Sequence, residues 1–301
     1  MQKNTIFNDT PVGLKCLFAQ AAGFGDPSVM KKIRSYVTAF LFLLIAAVSL
    51  RADSAGMEAL PFQPGEKLTF NLRWGIISAG TAVLEVHPMA EVDGVETYHF
   101  SLTVRTNRVL DRIYRVRDRI DAYVFTDLSG TAFYKKKQRE GRHERDIEVT
   151  FDREAGTAQY SNFGKKEDPI EIVPGTFDPL SVFYAFRAMP FGDNNKVEIY
   201  VTDGKELQLG EGRLRGRETI QVPAGRFETR MVEPDMRDVG GVFEESDDAT
   251  LRIWVSDDER RIPVRLSSKV VVGSFHAELI EINGEKPPER PPPPQLPRSR
   301  R

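Results

Sequence analysis

The chain has 301 residues, of which 40% are apolar and 29% charged, and its formal net charge is −2. This composition is ordinary for a globular protein and lies far from that of disordered or fibrous chains. The near-neutral charge gives no electrostatic reason to expect nucleic-acid binding, and none is predicted. The single cysteine, Cys16, excludes an intrachain disulfide and a cysteine-based zinc site.

The N-terminal region has the pattern of a secretory signal peptide. A basic start at Met30–Arg34 precedes an uncharged apolar run over residues 39–50, and small residues follow. We therefore expect a signal peptide over residues 30–52, cleaved after Ala52 or alternatively after Ala55, and a periplasmic mature protein. An uncleaved membrane anchor is the less favoured alternative, because the apolar run has about a dozen residues and a spanning helix needs about 20.

Two other segments are expected to lie outside the folded domain. Residues 1–29 precede a complete signal peptide, so we interpret them as a mis-assigned translation start. Residues 283–301 are rich in proline, which predicts a disordered tail, with a proline-rich ligand for a partner as the alternative. No other apolar stretch is long enough to cross a membrane, so no transmembrane span is expected after cleavage.

Residues 57–282 are expected to form a single β domain, because their apolar residues recur at every second position. Turn residues separate the successive apolar runs. The segment 178–189 breaks this alternation and predicts a short helix, with Asp178 capping its first amides and Pro190 following its end. One helix among many strands predicts an all-β fold, in which a single curved antiparallel sheet forms an open or spiral barrel with the helix as a plug.

Several landmarks of this domain occur in a characteristic order along the chain. They are Gly65–Phe70 with Trp74 and Ala79-Gly80, Tyr114–Ile120, Asp178–Ser181 with Phe183-Tyr184, Asp203–Lys205, Thr219–Phe227, and Trp254–Asp258 with Arg261–Val264. The series resembles the DUF3108 family of exported bacterial proteins over nearly all of residues 60–282, and the proline-rich tail lies outside it. The resemblance implies a periplasmic β fold similar to curved-sheet proteins that handle lipoproteins or maintain the envelope. It implies no catalytic residues.

The sequence contains no local signature of catalysis. Its four histidines form no closely spaced ligand pair, and the nucleophile-elbow, Ser-x-x-Lys, P-loop and Rossmann patterns are absent. We therefore predict no enzyme activity, no cofactor and no metal site. Spacing alone leaves one route open, because a triad from distant strands is recognised by its geometry.

Six basic residues, here called the basic ladder, are expected to share one face of two neighbouring strands. Such a surface suits phosphate or carboxylate groups of an envelope polymer. Interleaved acidic residues favour the alternative, in which cross-strand ion pairs occupy a solvated face. The ladder consists of Arg115, Arg117, Arg119, Lys135, Lys137 and Arg139.

Three aromatic residues, Trp74, Tyr184 and Trp254, complete the candidate ligand-binding set. A curved sheet with a helical plug can enclose an apolar cavity for an acyl chain, or its rings can fill the interior. Trp254 precedes an acidic turn at Asp257-Asp258, for which a plain hairpin is the simpler interpretation and a rim site the alternative.

Together these observations predict a non-catalytic periplasmic protein that binds a lipid, glycan or protein partner in the cell envelope. One alternative is a hydrolase acting on an envelope polymer, which requires a paired histidine or two close carboxylates. Another is a structural adaptor that docks a second envelope protein through a strand edge or the tail.

Export is testable by the mass of the protein recovered from its native periplasm. We expect a mature chain that begins near residue 53, because the small residues after the apolar run suit signal peptidase. Intact-mass measurement of the periplasmic fraction checks this. A chain found in the membrane fraction with its apolar run retained would instead identify the uncleaved anchor.

Overall fold

A computed structural model of the protein describes residues 60–189, 195–234, 250–270 and 273–285. The upstream segment 1–29, the expected signal peptide over residues 30–52 and residues 286–301 of the expected tail lie outside the described residues. No helix in the part of the chain that the structure describes is long and apolar enough to cross a membrane.

The described residues form seventeen strands, one 3-10 turn at Leu110–Arg112 and one α-helix, α1. The strands follow the period-two pattern of apolar residues. Along each long strand, apolar side chains that point inward are buried, and the residues between them are more exposed. Their bounds are β1 Lys67–Trp74, β2 Ile77–Val86, β3 Ala90–Val92, β4 Val95–Thr106, β5 Arg117–Phe125, β6 Thr131–Glu140, β7 His143–Asp152, β8 Thr157–Asn162, β9 Lys165–Lys166, β10 Ile170–Glu171, β11 Thr176–Phe177, α1 Ser181–Ala188, β12 Lys196–Thr202, β13 Leu207–Val222, β14 Gly225–Pro234, β15 Thr250–Ser256, β16 Pro263–Val270 and β17 Gly273–Ile282.

All strands belong to one sheet, which is antiparallel except for a short parallel pairing of β11 with β12. The hydrogen-bonded pairs run from β8 through β7, β6, β5, β4, β2 and β1 to β17, and then from β16 back to β12. The first strand therefore lies in the middle of the sheet, between its hairpin partner β2 and the last strand β17. Leu68 is opposite Ile282 in that pairing.

The two ends of the sheet approach each other without pairing into a closed cylinder. The short strand β10 pairs with β8 at one end, and β11, which follows four residues later, pairs with β12 at the other. At Gly204, just after β12, a Cβ would lie 2.9 Å from the Val149 methyl groups and 3.1 Å from Tyr160. The sheet is thus a curved, open barrel, which confirms the predicted fold class; the parallel pairing of β11 is the one departure from it.

Helix α1 fills one end of the barrel interior. Its residues from Ser181 to Arg187 are all buried. The Tyr184 ring stacks on Phe100 of β4 at a centroid distance of 3.8 Å, and Phe62 packs edge-on against both rings at 5.3–5.4 Å. The predicted helical plug is therefore present, and aromatic side chains occupy the space beside it.

The start of α1 is fixed by Asp178, as the sequence predicts. Its Oδ1 accepts hydrogen bonds from the amides of Leu180 at 2.7 Å and Ser181 at 3.0 Å. Its Oδ2 accepts one from Thr131 Oγ1 at 2.7 Å, and Thr131 Oγ1 in turn accepts the Asp178 amide at 2.8 Å. This exchange joins the helix start to β6 and satisfies amides that a helix leaves unpaired.

Arg187, near the end of α1, forms a buried ion pair with Glu66 at the start of the domain. Its side chain is 0% exposed. Nη1 donates to Glu66 Oε1 at 2.5 Å and Nη2 to Glu66 Oε2 at 2.8 Å. Further hydrogen bonds reach the carbonyl oxygens of Pro61 at 2.8 Å and Arg260 at 3.0–3.1 Å. One guanidinium therefore holds together the helix, the N-terminal arm and the β15–β16 turn.

Replacing Arg187 with leucine is expected to lower the free energy of unfolding by roughly 3–5 kcal/mol, because Glu66 would stay buried without its partner. Urea unfolding of the mature protein measures this change. Arg215→Leu is the matched control: that arginine pairs with Glu233 on the surface, so its loss should cost no more than about 1 kcal/mol. Equal losses for the two variants would contradict the role given to Arg187.

Candidate functional site

The basic ladder lies on the outer face of the barrel. Strands β5 and β6 are hairpin partners, with Arg119 opposite Lys137 and Asp121 opposite Lys135. Arg115 is exposed and lies just before β5, and Arg139 is exposed near the end of β6. The structure therefore brings the six basic residues together on neighbouring strands, as the alternation indicates.

Acidic side chains accompany four members of the ladder. The Asp121 carboxylate accepts hydrogen bonds from Arg119 at 2.6 and 2.8 Å and from His99. Partial burial alone would raise the pKa of Asp121, but the hydrogen bonds from His99 and Arg119 outweigh this effect and lower the pKa to about 2. This arrangement corresponds to the ion-paired alternative, and the most exposed of these pairs, Lys137–Asp146, is expected to contribute little to stability. The pairs are Arg117–Asp111, Arg119–Asp121, Lys135–Glu148 and Lys137–Asp146.

The three aromatic candidates lie at separate places. Tyr184 is in the packed interior beside α1, as described above. Trp74 is at the end of β1 and stacks on Phe275 of β17 at a centroid distance of 6.4 Å. Trp254 is buried on β15, and its indole Nε1 donates to Glu218 of β13. The structure therefore does not bring these residues into one site.

A different group of polar residues meets inside the barrel, at the end away from the stacked rings of α1. The inward positions of β6 after Tyr134 are Lys136, Gln138 and Glu140, all buried. On β5 the buried Asp118 occupies the position across from Gln138, and its Oδ1 accepts the Arg139 amide at 2.8 Å. We call Asp118, Lys136, Gln138 and Glu140 the interior polar cluster.

Burial sets the protonation of this cluster. Removal from water, followed by the nearby negative charge of Glu140, raises the pKa of Asp118 to about 8. Burial also lowers the pKa of Lys136, against the attraction of Asp118 and Glu140. Asp203, in the turn after β12, faces the same region, and desolvation raises the pKa of its carboxyl. At neutral pH the cluster therefore holds a protonated Asp118.

Gln138 is the least satisfied member of the interior polar cluster. Its side chain is buried, with 1% of the residue exposed, and neither its amide nitrogen nor its amide oxygen has a hydrogen-bond partner among the described residues. Glu140 Oε2 is likewise unpartnered within the described part of the chain. Buried polar groups are paired as a rule, and leaving one unpaired costs about 1–3 kcal/mol. Such an amide needs a partner, which a water molecule or a polar group of a ligand can supply.

Residues 107–116, here called the cover segment, close the end of the barrel beside this cluster. Tyr114 is buried against the β6–β7 turn. Its ring packs so closely on Gly141 that a β-carbon, if Gly141 had one, would lie only 2.6 Å from the ring. Val116 forms a bridge with Glu140. On the outside, Val109 and Ile113 are 70% and 47% exposed. The cover segment therefore lies against the end of β6 that carries Glu140 of the interior polar cluster.

Arg117, a member of the basic ladder, fastens the cover segment to the sheet. Its Nη1 and Nη2 donate to the two carboxylate oxygens of Asp111 at 3.0 and 2.5 Å. Thr106 Oγ1 donates to Asp111 at 2.6 Å and accepts the Val116 amide at 3.0 Å. The hydrogen bond from Arg117 lowers the pKa of Asp111, so the fastening persists at neutral pH.

Sequence reasoning missed the interior polar cluster, although one signal was available. Asp118 lies between Val116 and Ile120, which the alternation already assigns to the inner face. Lys136, Gln138 and Glu140 have the opposite parity from the exposed lysines on the same strand. Polar residues at successive inward positions are the signal that would have revealed the site.

A further group, His87, His99 and Asp121 on the outer face, offers metal-ligand atoms at short mutual distances.

The fold and the interior polar cluster define an all-β protein whose open barrel has an apolar core with a polar cluster at one end. The chain belongs to the family described as protein of unknown function DUF3108, whose model matches residues 69–280. This match confirms the resemblance noted in the sequence. No match is found among curated proteins.

Solved structures similar to this chain are distant in sequence. One is the β-barrel-like protein of domain of unknown function DUF1849 from Brucella abortus, with a TM-score of 0.49 and 11% identity, covering 72% of this chain and 96% of that one. Another is a protein with a YmcC-like fold from Bacteroides fragilis, with a TM-score of 0.30 and 13% identity, covering 74% and 97%. Any function proposed for this chain therefore depends on its own residues.

The raised pKa of Asp118 predicts a pH-dependent stability. Between about pH 4 and pH 8 the folded protein keeps a proton on Asp118 that the unfolded chain releases. The contribution of Asp118 to the free energy of unfolding therefore falls as pH rises, by up to about 1.4 kcal/mol per pH unit. Asp118→Asn removes this contribution. The difference in free energy of unfolding between wild type and variant should therefore change between about pH 4 and pH 8.

Urea unfolding at pH 5, 6.5 and 8 measures this difference. Asp168→Asn, which alters an exposed carboxyl in the β9–β10 connection, is the control. Its free energy of unfolding should change with pH in the same way as that of wild type. A constant offset between wild type and Asp118→Asn across the three pH values would show that Asp118 does not titrate in this range.

Proposed function

We propose that the protein is a non-catalytic binding protein of the bacterial periplasm that holds a polar group of an envelope component inside its open barrel. The group binds the interior polar cluster beneath the cover segment. The observation that carries this proposal is the buried side chain of Gln138, whose amide nitrogen and oxygen have no partner among the described residues. The signal-peptide pattern supports the compartment.

The chemistry of the interior polar cluster favours a neutral ligand rich in hydroxyl or amide groups. An amide side chain offers both a donor and an acceptor, and a protonated carboxyl does the same. Lys136 adds an amine and Glu140 a second carboxyl group, and both are buried. A sugar unit of an envelope glycan matches this mixture of donors and acceptors. A binding protein with such an interior would recognise the glycan by hydrogen bonds rather than by net charge.

An acyl chain is the less favourable occupant. The end of the interior beside α1 is filled by rings in mutual contact, including Tyr184 on Phe100 at 3.8 Å. The other end would place a hydrocarbon against Gln138 and Glu140, and burying polar groups against hydrocarbon without hydrogen bonds is unfavourable. A glycan or a glycan-bearing headgroup is therefore preferred to a lipid tail.

The buried carboxyl pair supports hydrolysis of an envelope polymer as a second candidate function. Asp118 and Glu140 interact closely, and a carboxyl with a pKa of about 8 can act as a general acid. Both side chains are buried, however, and Lys136 lies beside them. Binding is preferred because it requires contact with Gln138 alone, whereas catalysis also requires a bond of the substrate to reach the carboxyl pair.

Gln138→Leu is expected to abolish binding and leave the fold intact. It replaces the unpaired amide with an apolar group of similar size, so the free energy of unfolding should be unchanged or higher by about 1–3 kcal/mol. Native and denaturing mass spectrometry of protein purified from its own periplasm measures the bound compound. We expect a glycan-containing compound on wild type and none on the variant.

Gln208→Leu provides the matched control, because Gln208 is exposed on β13, and this variant should carry the same compound as wild type. A compound that stays bound to Gln138→Leu, or a bare wild-type protein, would refute the proposed site. Recovery of a fatty acid would refute the preference for a glycan. Cleavage of added envelope polymer by wild type, lost in Asp118→Asn, would favour the hydrolase.

A further inference from the structure

Two histidines and an aspartate meet on the outer face of the barrel, opposite the interior polar cluster. His87 follows β2, and its backbone amide donates to the carbonyl of His99 on β4 at 2.8 Å. Strand pairing places Asp121 of β5 opposite Ser101, two residues from His99. All three side chains are half-buried. Three adjacent segments of one sheet thus bring these groups together, on a more rigid support than a loop would give.

The ligand atoms of this group are close to one another. The rings of His87 and His99 stack at a centroid distance of 4.4 Å, and His99 Nε2 lies 2.9 Å from Asp121 Oδ1. One ligand atom from each of the three residues lies within 4.8 Å of the others. Ligands at about 2.0–2.1 Å from a tetrahedral ion are roughly 3.3 Å apart. Ion binding therefore requires the stacked imidazole rings to rotate until one nitrogen of each points at the ion.

The surroundings of the histidines suit metal coordination. Ser101 Oγ lies 2.7 Å from His87 Nε2, which leaves His87 Nδ1 for an ion while the serine fixes the ring. Hydrogen bonding of the second ring nitrogen is typical of metal-bound histidine.

Arg119 is the competitor for this site. Its guanidinium donates to both oxygens of Asp121, at 2.6 and 2.8 Å. Its side chain is 48% exposed, so it can turn into solvent without leaving a buried charge. A divalent ion that binds Asp121 must replace Arg119, and removal of Arg119 should strengthen ion binding.

We propose that His87, His99 and Asp121 form a binding site for a first-row divalent transition metal ion, of which Zn²⁺ is the reference. Two imidazoles and one carboxylate suit Zn²⁺, Ni²⁺ and Cu²⁺ better than Mg²⁺ or Ca²⁺, which prefer oxygen ligands. Three protein ligands leave a coordination position open for water or for a group of a partner. The site is on the outer face and is independent of the glycan-binding proposal.

Isothermal titration of untagged mature protein with Zn²⁺ tests this site. Wild type should bind one ion per chain. His87→Ala and His99→Ala should each weaken binding by roughly tenfold or more, and Asp121→Asn should also weaken it. Arg119→Ala should strengthen binding several-fold. Zn²⁺ should raise the melting temperature of wild type and not that of His87→Ala.

His276→Ala is the control, because His276 is a half-buried histidine on β17 outside this group, and it should bind Zn²⁺ as wild type does. Circular dichroism confirms that each variant is folded, and Asp121→Asn, which keeps the side-chain shape, serves where a histidine variant is unstable. The proposal is overturned if wild type binds no stoichiometric Zn²⁺, if His87→Ala binds as wild type, or if Arg119→Ala weakens binding.

Discussion

The buried ion pair between Arg187 and Glu66 is the constraint on which the arrangement of the interior depends. A helix inside an open sheet has no strand partners of its own, so side chains must fix its position. Five hydrogen bonds from Arg187 join α1 to the N-terminal arm and to the β15–β16 turn. Burying both charges is tolerable because every nitrogen of the guanidinium is hydrogen-bonded.

Once α1 is fixed, the interior divides into two chemically different ends. The helix end contains stacked and edge-on rings, including Tyr184 and Phe100, which pack as a conventional core. The opposite end, under the cover segment, holds the interior polar cluster. Packing of the rings at the helix end stabilises the fold. This stabilisation offsets the unfavourable free energy of burying unpaired polar groups, such as the Gln138 amide, at the other end.

The fold was predictable because hydrophobic alternation reports burial directly, as the inward Val116, Ile120 and Val124 illustrate. The capping role of Asp178 was predictable for the same local reason. The interior polar cluster was not predicted, because a polar residue at an inward position interrupts the alternation of apolar and polar residues and is not recognised as buried. Asp203 joins that region from a distant strand, which only the curvature of the sheet determines. The outer-face histidines likewise meet through strand pairing that local spacing does not specify.

The position of β1 has a consequence for how the chain reaches its native state. Lys67 and Asn283 are hydrogen-bonded across 216 positions of sequence, so the central pair of the sheet unites the earliest and latest parts of the domain. Because the chain is synthesised from its N-terminus, β17 is the last strand to become available. Native pairing of β1 must therefore wait until nearly the whole domain has emerged. Such long-range closure slows folding, so the complete sheet forms only once its C-terminal strand is available.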